Sequence, residues 1–481
     1  MRARALIGIF ALVTCAVGAI AACVGDSPAV PSDAGTEGST TDGGGDTSCG
    51  NTATDPKNCG ACGKVCAAGF GCTQGVCDSQ VVKLVAGGNH NCVTMKNGAV
   101  YCWGANAFGQ SGADASATAP PTSIPRDRQS NTFSARDFAA GALHSCGLRP
   151  DNTVSCWGNG VFGQLGAGFT APDAASPVPG FTVKTNFTTE LGLTSIGHGP
   201  EANHTCGVND AGAVISWGLD NINQVTLLDA GAPSTCFNGD SCRGATRALN
   251  ELAVQVAVGG ATSCSLAANG TIRCWGGGRT GELGNSLHGT ACGFQCGGKV
   301  FVVPAPPSTF IAAGQSTLCA IVASDGSVQC WGNNETGMIG HLPAAPDGGS
   351  VDPCCSIDCT FSQGKPRCVD HPVAVPGILG AKMLAVGDVT VCALKIDGTV
   401  WCWGGNDKGQ LGRGTNDPAP SPVPTQITTL SSVAEISAGA NHFCALKTDG
   451  TVWCWGLNDK GQLGAGTANS NAPVEVTTLP R

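Results

Sequence analysis

Four histidines stand two residues before a cysteine: His90 before Cys92, His144 before Cys146, His204 before Cys206 and His442 before Cys444. Residues i and i+2 of an extended strand share a face, so each pair offers an imidazole and a sulfur together, as a metal site would. Cys59-x-x-Cys62 adds a zinc-ligand spacing. Both signals compete with disulfide chemistry. Cys92, Cys146 and Cys444 each have a second cysteine ten residues on, at Cys102, Cys156 and Cys454. Other repeats carry threonine or serine-type residues where the histidine stands. The histidines are therefore expected to be structural, bonded to backbone. No triad, phosphate-binding loop or metalloprotease motif accompanies them. The chain is read as a non-enzyme with no cofactor, no catalytic residue and no metal ligand.

The elements that must position these residues come from a repeat. Cys-Trp-Gly recurs at Cys102, Cys156, Cys274, Cys330, Cys402 and Cys454, and Ser216-Trp217-Gly218 is a seventh copy without its cysteine. Successive tryptophans lie 52 to 72 residues apart. A recurrence of this size implies units that each bury an apolar face against the next. The last repeat is the cleanest. Two apolar runs flank Asp449-Gly450, a hairpin signal. Facing Cys444 with Cys454 leaves a three-residue loop, Thr448 to Gly450, with glycine in the left-handed position. The same arithmetic places Gly98, Gly212, Gly270, Gly398 and Asn152, and asparagine also tolerates that conformation. Cys319 to Cys330 has one extra residue.

Facing strand residues sit within disulfide reach. Six cross-strand disulfides are expected: Cys92–Cys102, Cys146–Cys156, Cys264–Cys274, Cys319–Cys330, Cys392–Cys402 and Cys444–Cys454. Alternation puts Leu446 and Val452 beside the last of these, with Trp453 and Trp455 on the opposite face. Cys206 is left without a hairpin partner, or joins Cys236 or Cys242.

The recurring Ala-Gly-x-x-His-x-Cys-x-Leu, the Asp-Gly turn, Val-x-Cys-Trp-Gly and Asn-x-x-Gly-Gln-Leu-Gly resemble the regulator of chromosome condensation repeat family over about residues 80 to 481. The last element stands as Gly163-Gln164-Leu165-Gly166, Gly409-Gln410-Leu411-Gly412 and Gly461-Gln462-Leu463-Gly464, with looser copies at Gly281 and Gly337. The third repeat departs most, with Asn223-Gln224-Val225 in that place. The resemblance implies an all-β, seven-bladed β-propeller, and histidines near the ring's inner end. The strand at Pro473 to Val476 is expected to complete the first blade and close the ring. Asp449-Gly450-Thr451 also resembles the turn box of sialidase propellers, but its Asp and Gly are adjacent. Tyr101, the only tyrosine, lies inside a repeat strand rather than in a nucleophile's place.

Residues 1–22 have the form of a secretory signal: Arg2 and Arg4, then an apolar run. Ile20-Ala-Ala-Cys23 resembles a bacterial lipobox, which implies that Cys23 is lipidated. Residues 23–48 are a Gly, Ser, Thr and Asp-rich tether. Residues 49–79 hold Cys49, Cys59, Cys62, Cys66, Cys72 and Cys77 and resemble the plant stigma-specific cysteine-rich module. Three disulfides are expected there, with zinc the competing reading. Residues 80–481 form the repeat domain.

The chain has 29 cysteines among 481 residues, which belongs in an oxidising compartment. Taking Arg2 and Arg4 from the 25 basic residues leaves 23 against 34 acidic ones, a net charge of −11. With no basic block, nucleic acid is not an expected partner. Insertions carrying Cys236 and Cys242, Cys292 and Cys296, and Cys354, Cys355, Cys359 and Cys368 read as blade-to-blade segments. A long loop stapled by cysteines is a candidate binding loop. The expectation is a monomeric, exported envelope or cell-surface lipoprotein, touching the membrane through its lipid and binding an unknown protein or glycan. The resemblance also implies an alternative, guanine-nucleotide exchange on a small GTPase.

Overall fold

The computed structural model describes residues 52–66, 70–112, 118–123, 133–166, 183–184, 192–197, 199–225, 234–235, 241–249, 252–278, 280–285, 299–341, 368–415 and 417–480. The signal, the tether, Cys23 and Cys49 lie outside them.

Seven antiparallel sheets follow one another along the chain, and each is one blade. Blade 1 runs Val81–Ala86, His90–Met95, Val100–Ala105 and Thr118–Ser123, in sequence order from the axis outward. Blade 7 repeats this as Val433–Ala438, His442–Lys447, Val452–Gly456 and Ser470–Glu475. The first strands of all seven blades surround a central cavity of about 220 Å³. Blade 3 adds a short fifth strand, Ser234–Thr235, outside Ser241–Leu249.

The hairpin register is the one the cysteine spacing predicts. Cys444 faces Cys454 and Leu446 faces Val452, and Gly450 N–H donates to Lys447 O at 2.9 Å across the three-residue loop. Asn152 adopts φ 66° where the other hairpins use glycine. The six expected hairpin cysteine pairs are disulfide-bonded, with Cα atoms 4.0–4.1 Å apart.

Among the described residues the apolar core is divided between the blades. Each disulfide and its neighbouring apolar residues face the next blade's tryptophan. Cys444, Leu446, Val452 and Cys454 pack with Trp103 of blade 1, and Cys392, Leu394 and Cys402 of blade 6 pack with Trp455. Six such clusters, and a seventh in which the lone Cys206 stands with Trp275, fill the seven gaps between blades.

Two expectations fail. The C-terminal strand does not cross to blade 1: Val474 pairs with Cys454 of its own blade. Blade 1 has its own fourth strand, in which Ser123 faces Cys102. Ring closure therefore rests on packing and hydrogen bonds between the first and last blades, without strand exchange. The cysteine-bearing insertions are likewise not blade-to-blade segments. They lie within blades 3, 4 and 5, between a third strand and its fourth. The fourth strands hid this, because Ser421–Gln426 and Ser470–Glu475 contain proline and lack alternation. Proline is tolerated on an outermost strand, whose free edge needs no N–H.

The cysteine module sits against the hairpin ends of blades 1 and 7. Cys59–Cys72 and Cys66–Cys77 are disulfides, and Cys62 is also disulfide-bonded. The zinc reading fails for this reason, since the close sulfurs of Cys59, Cys66 and Cys77 belong to two neighbouring disulfides. Lys96 Nζ donates to Thr73 O at 2.6 Å, and Phe70 packs on the cluster between blades 7 and 1.

Candidate functional site: the loop end and the channel

Asn-x-x-Gly-Gln-Leu-Gly forms the loop after each third strand. In blade 7, Asn458 Oδ1 accepts Leu463 N–H at 2.9 Å and Gln462 Oε1 accepts Lys460 N–H at 2.8 Å. The glutamine carbonyl is thereby aimed sideways at the next blade. Gln462 O accepts the indole N–H of Trp103 at 3.0 Å. The same bond recurs at every gap, with Trp157 on Gln110, Trp217 on Gln164, Trp275 on Gln224, Trp331 on Glu282, Trp403 on Met338 and Trp455 on Gln410. Even the divergent third repeat keeps it: Asn223 takes φ 60° in place of a glycine, and Gln224 O still accepts Trp275.

The histidines bridge blades through side chains, not backbone, which corrects the sequence expectation. His90 Nε2 meets Ser145 Oγ at 2.8 Å, His144 Thr205 Oγ1 at 2.8 Å, His204 Ser263 Oγ at 2.8 Å, and His442 Asn91 Oδ1 at 2.9 Å. Cys206 is a buried free thiol accepting Ser216 O–H at 3.0 Å, so its sulfur stands where other blades have a disulfide. Burial pushes that thiol up, against its hydrogen bonds with Ser216 and Ser263.

The loops joining first to second strands ring one end of the channel. Ala440 N–H donates to Gly88 O and Gly88 N–H to Gly141 O, each at 3.0 Å, linking blades 7, 1 and 2. Glu201 and Asp388 stand in these loops. Burial, then the charge of Asp388, raises Glu201 to about 7. Burial also raises Asp388, against a hydrogen bond from Asn441.

Inside the channel, Lys83 Nζ lies 3.3 Å from Glu435 and 3.7 Å from Asp137. Glu435 Oε2 accepts Leu84 N–H at 3.1 Å and Asp137 Oδ2 accepts Ile196 N–H at 3.2 Å, so each carboxylate seals the edge of the next blade's inner strand. Sequence reasoning missed this group. These residues sit at one repeated strand position, but their types differ from blade to blade.

Of the candidate loop cysteines, Cys236, Cys292, Cys296, Cys354, Cys355 and Cys359 lie outside the described residues. Cys242 pairs with Leu219 at the start of blade 3's fourth strand, and Asp220 beside it is held by Arg243 at 2.7 Å. Cys368 occupies the equivalent place in blade 5, facing Asn333, where it is buried and disulfide-bonded. Both strand starts lie at the end of the ring that bears the channel-mouth loops.

The regulator of chromosome condensation (RCC1) repeat model matches residues 397–446 and 449–481, and a second model of that repeat matches 81–110, 135–164 and 433–462. Human E3 ubiquitin-protein ligase HERC2 is 28% identical over 383 residues, 78% of this chain but only 7% of that protein's length. The ultraviolet-B receptor UVR8 of Arabidopsis thaliana is 27% identical over 342 residues, 70% of this chain and 69% of the receptor. Among solved structures, Prp20p of Saccharomyces cerevisiae superposes with a TM-score of 0.60 at 17% identity, covering 83% of this chain and 88% of its own. Human WBSCR16 gives 0.61 at 20% identity, covering 79% and 94%. The seven sheets and their shared gap chemistry make this chain an all-β, seven-bladed propeller, and RCC1 repeats are matched in its first two and last two blades.

Proposed function

We propose that the protein is an exported, lipid-anchored binding module whose loop end takes a protein or glycan. The observation that carries this reading is the common origin of the three cysteine-bearing insertions. All leave a third strand and return to a fourth, so their anchor points share one end of the ring with the channel mouth. The cysteine module occupies hairpin tips at the other end. Nucleotide exchange on a GTPase, the second reading, has behind it the ring likeness to Prp20p, which has binding properties to Gsp1p and histones. The disulfides favour an oxidising compartment instead.

The test replaces residues 342–367 with a short Gly-Ser turn. Cys368→Ala accompanies it, because that cysteine begins the fourth strand and must not be left as a thiol. Partner capture from the envelope fraction and glycan-array binding are compared with Ile396→Lys, an exposed hairpin-end control. Loss of binding in the first variant alone supports the loop end. Unchanged binding overturns that loop's role. Retention of Cys23→Ala in the membrane fraction would sink the lipid anchor.

A further inference from the structure

The seven gaps between blades are of two kinds. At four of them a histidine bonds a polar side chain of the next blade: His442 to Asn91, His90 to Ser145, His144 to Thr205 and His204 to Ser263. At the other three, threonine replaces histidine and turns its hydroxyl back into its own blade. Thr262 donates to Gly277 O at 2.6 Å, Thr317 to Asn333 O at 2.9 Å and Thr390 to Gly405 O at 2.7 Å. The partner positions there are Leu318, Val391 and Phe443, all buried. The exchange is matched throughout: a histidine always meets a polar partner, and threonine always precedes an apolar one. It is also contiguous. Polar latches run from blade 7 through blades 1, 2 and 3 to blade 4, and apolar gaps run from blade 4 to blade 7.

The hydrogen positions follow from the partners. Ser145 and Ser263 donate to Gln110 O and Gln224 O, and Asn91 Nδ2 donates to Gln462 O. Each of these residues must then accept from the histidine, which places the hydrogen on Nε2. The other ring nitrogen, Nδ1, is buried without a partner in all four histidines. A Cβ added to Gly141 would lie 2.1 Å from His144 Cε1, and one on Gly439 would lie 2.0 Å from His442 Cε1, so no room is left beside these rings. A proton added at Nδ1 is a buried charge with nothing to receive it.

The surrounding charges do little to help. His90 and His204 flank His144, and His90 flanks His442, so protonating one disfavours its neighbour. Asp459 acts on His442 alone, and the Cys206 thiol lies 3.4 Å from Ser263 Oγ.

We propose that the ring is divided into an acid-labile sector, blades 7 through 4 by way of blade 1, and an acid-resistant sector, blades 4 through 7. Mild acid loosens the first while the second holds. The gap between blades 7 and 1 yields most readily, because the polypeptide does not pass directly across it. Burial holds His90 at about 4 and His144, His204 and His442 at about 3, against 6.5 for a free imidazole. The unfolded chain therefore binds more protons than the folded one between these values. The stabilisation is full above about pH 6.5 and is lost as pH falls towards the folded values, up to about tenfold in the opening equilibrium per unit per histidine. This inference stands whatever the loop end binds.

The test is amide hydrogen exchange of the full chain at pH 7.5, 5.5 and 4.5, corrected for intrinsic rates. His90–Met95, His144–Leu148 and His442–Lys447 should lose tenfold or more protection by pH 4.5, while Thr317–Val322 and Thr390–Lys395 keep theirs. Uniform loss around the ring, or no loss, overturns the proposal. A second measurement uses His144→Thr with Thr205→Val, which imports the apolar pairing. Acid sensitivity should vanish at that gap alone, and a response equal to the parent's contradicts the proposal. If that variant does not fold, the exchange pattern of the parent decides the matter by itself.

Discussion

A tryptophan in this ring does two jobs with one side chain. Its faces fill the gap beside the preceding blade's hairpin, and its N–H fastens the loop of that blade. Trp275→Phe keeps most of the apolar area and deletes the bond to Gln224 O. It should cost about 1–2 kcal/mol in urea melts, the worth of one buried hydrogen bond with some loss of packing. Trp401→Phe is the comparison, because that indole N–H donates to Thr399 Oγ1 of its own hairpin at 3.2 Å and the residue is half-buried. A cost there equal to Trp275→Phe would contradict this assignment.

Lys83 supplies the second prediction at this scale. Burial raises Glu435 above the ordinary 4.5, with Lys83 and Leu84 N–H offsetting part of that effect. Because its folded value is raised, the folded state of this acid holds extra protons just above the ordinary range. Its contribution to stability therefore weakens as pH rises. Lys83→Met should enlarge the effect. With Lys83 38% exposed, the expected destabilisation is about 1–3 kcal/mol near pH 7, shrinking towards pH 4. A deficit that grows on acidification would show that the lysine is not compensating these carboxylates.

At the scale of the hairpin, cysteine spacing and a single glycine or asparagine were enough to set the register wherever both cysteines are present. The aspartate of the turn carried more information than was read from it. Asp449 Oδ1 accepts both the N–H and the O–H of Thr451, at 3.0 and 2.7 Å, which makes Asp-Gly-Thr a capped turn. Blade 3 offers a direct test of register. Cys206 faces Ser216, so Ser216→Cys should close a seventh hairpin disulfide. For a loop of this length the gain should be about 2 kcal/mol. Thiol titration after oxidative refolding and a urea melt measure it, and two persistent free thiols would show the pair to be misaligned.

Third strands announce themselves by Val-x-Cys-Trp-Gly, whereas fourth strands have no such mark. Thr118–Ser123 reads Thr-Ala-Pro-Pro-Thr-Ser and resembles a linker more than a strand. An outermost strand is specified by the neighbour it leans on rather than by its own pattern. For that reason the placement of the insertions and the closure of the ring were illegible, while the inner three strands of each blade were plain. The channel group was hidden for a related cause: Lys83, Asp137 and Glu435 meet only when three blades, far apart in sequence, are brought round the axis.

Over the whole molecule, stability is a chain of seven joints with no common centre. The joint between blades 7 and 1 holds without strand exchange, by Val81, Trp103, Leu463 and Val476 packing together with Phe70 of the cysteine module against them. Phe70→Ala should therefore act on the ring, although the residue precedes its first strand. A half-buried phenylalanine should cost about 2 kcal/mol on truncation. Hydrogen exchange should locate the loss at Val81–Ala86 and Val452–Gly456. A loss confined to residues 52–80 would make the module an independent appendage.

Closure without strand exchange also bears on how such a ring can be rearranged. Every blade is complete in one contiguous stretch of chain, innermost strand first, so none is shared between two distant segments. Linking blade 7 to blade 1 and opening the chain before Ser308 instead would yield a circular permutant with the same seven joints in the same order. Tandem duplication of the underlying gene segment would likewise add a whole blade each time, leaving no half-blade to be rescued at either end. In this propeller the unit of copying and the unit of structure coincide.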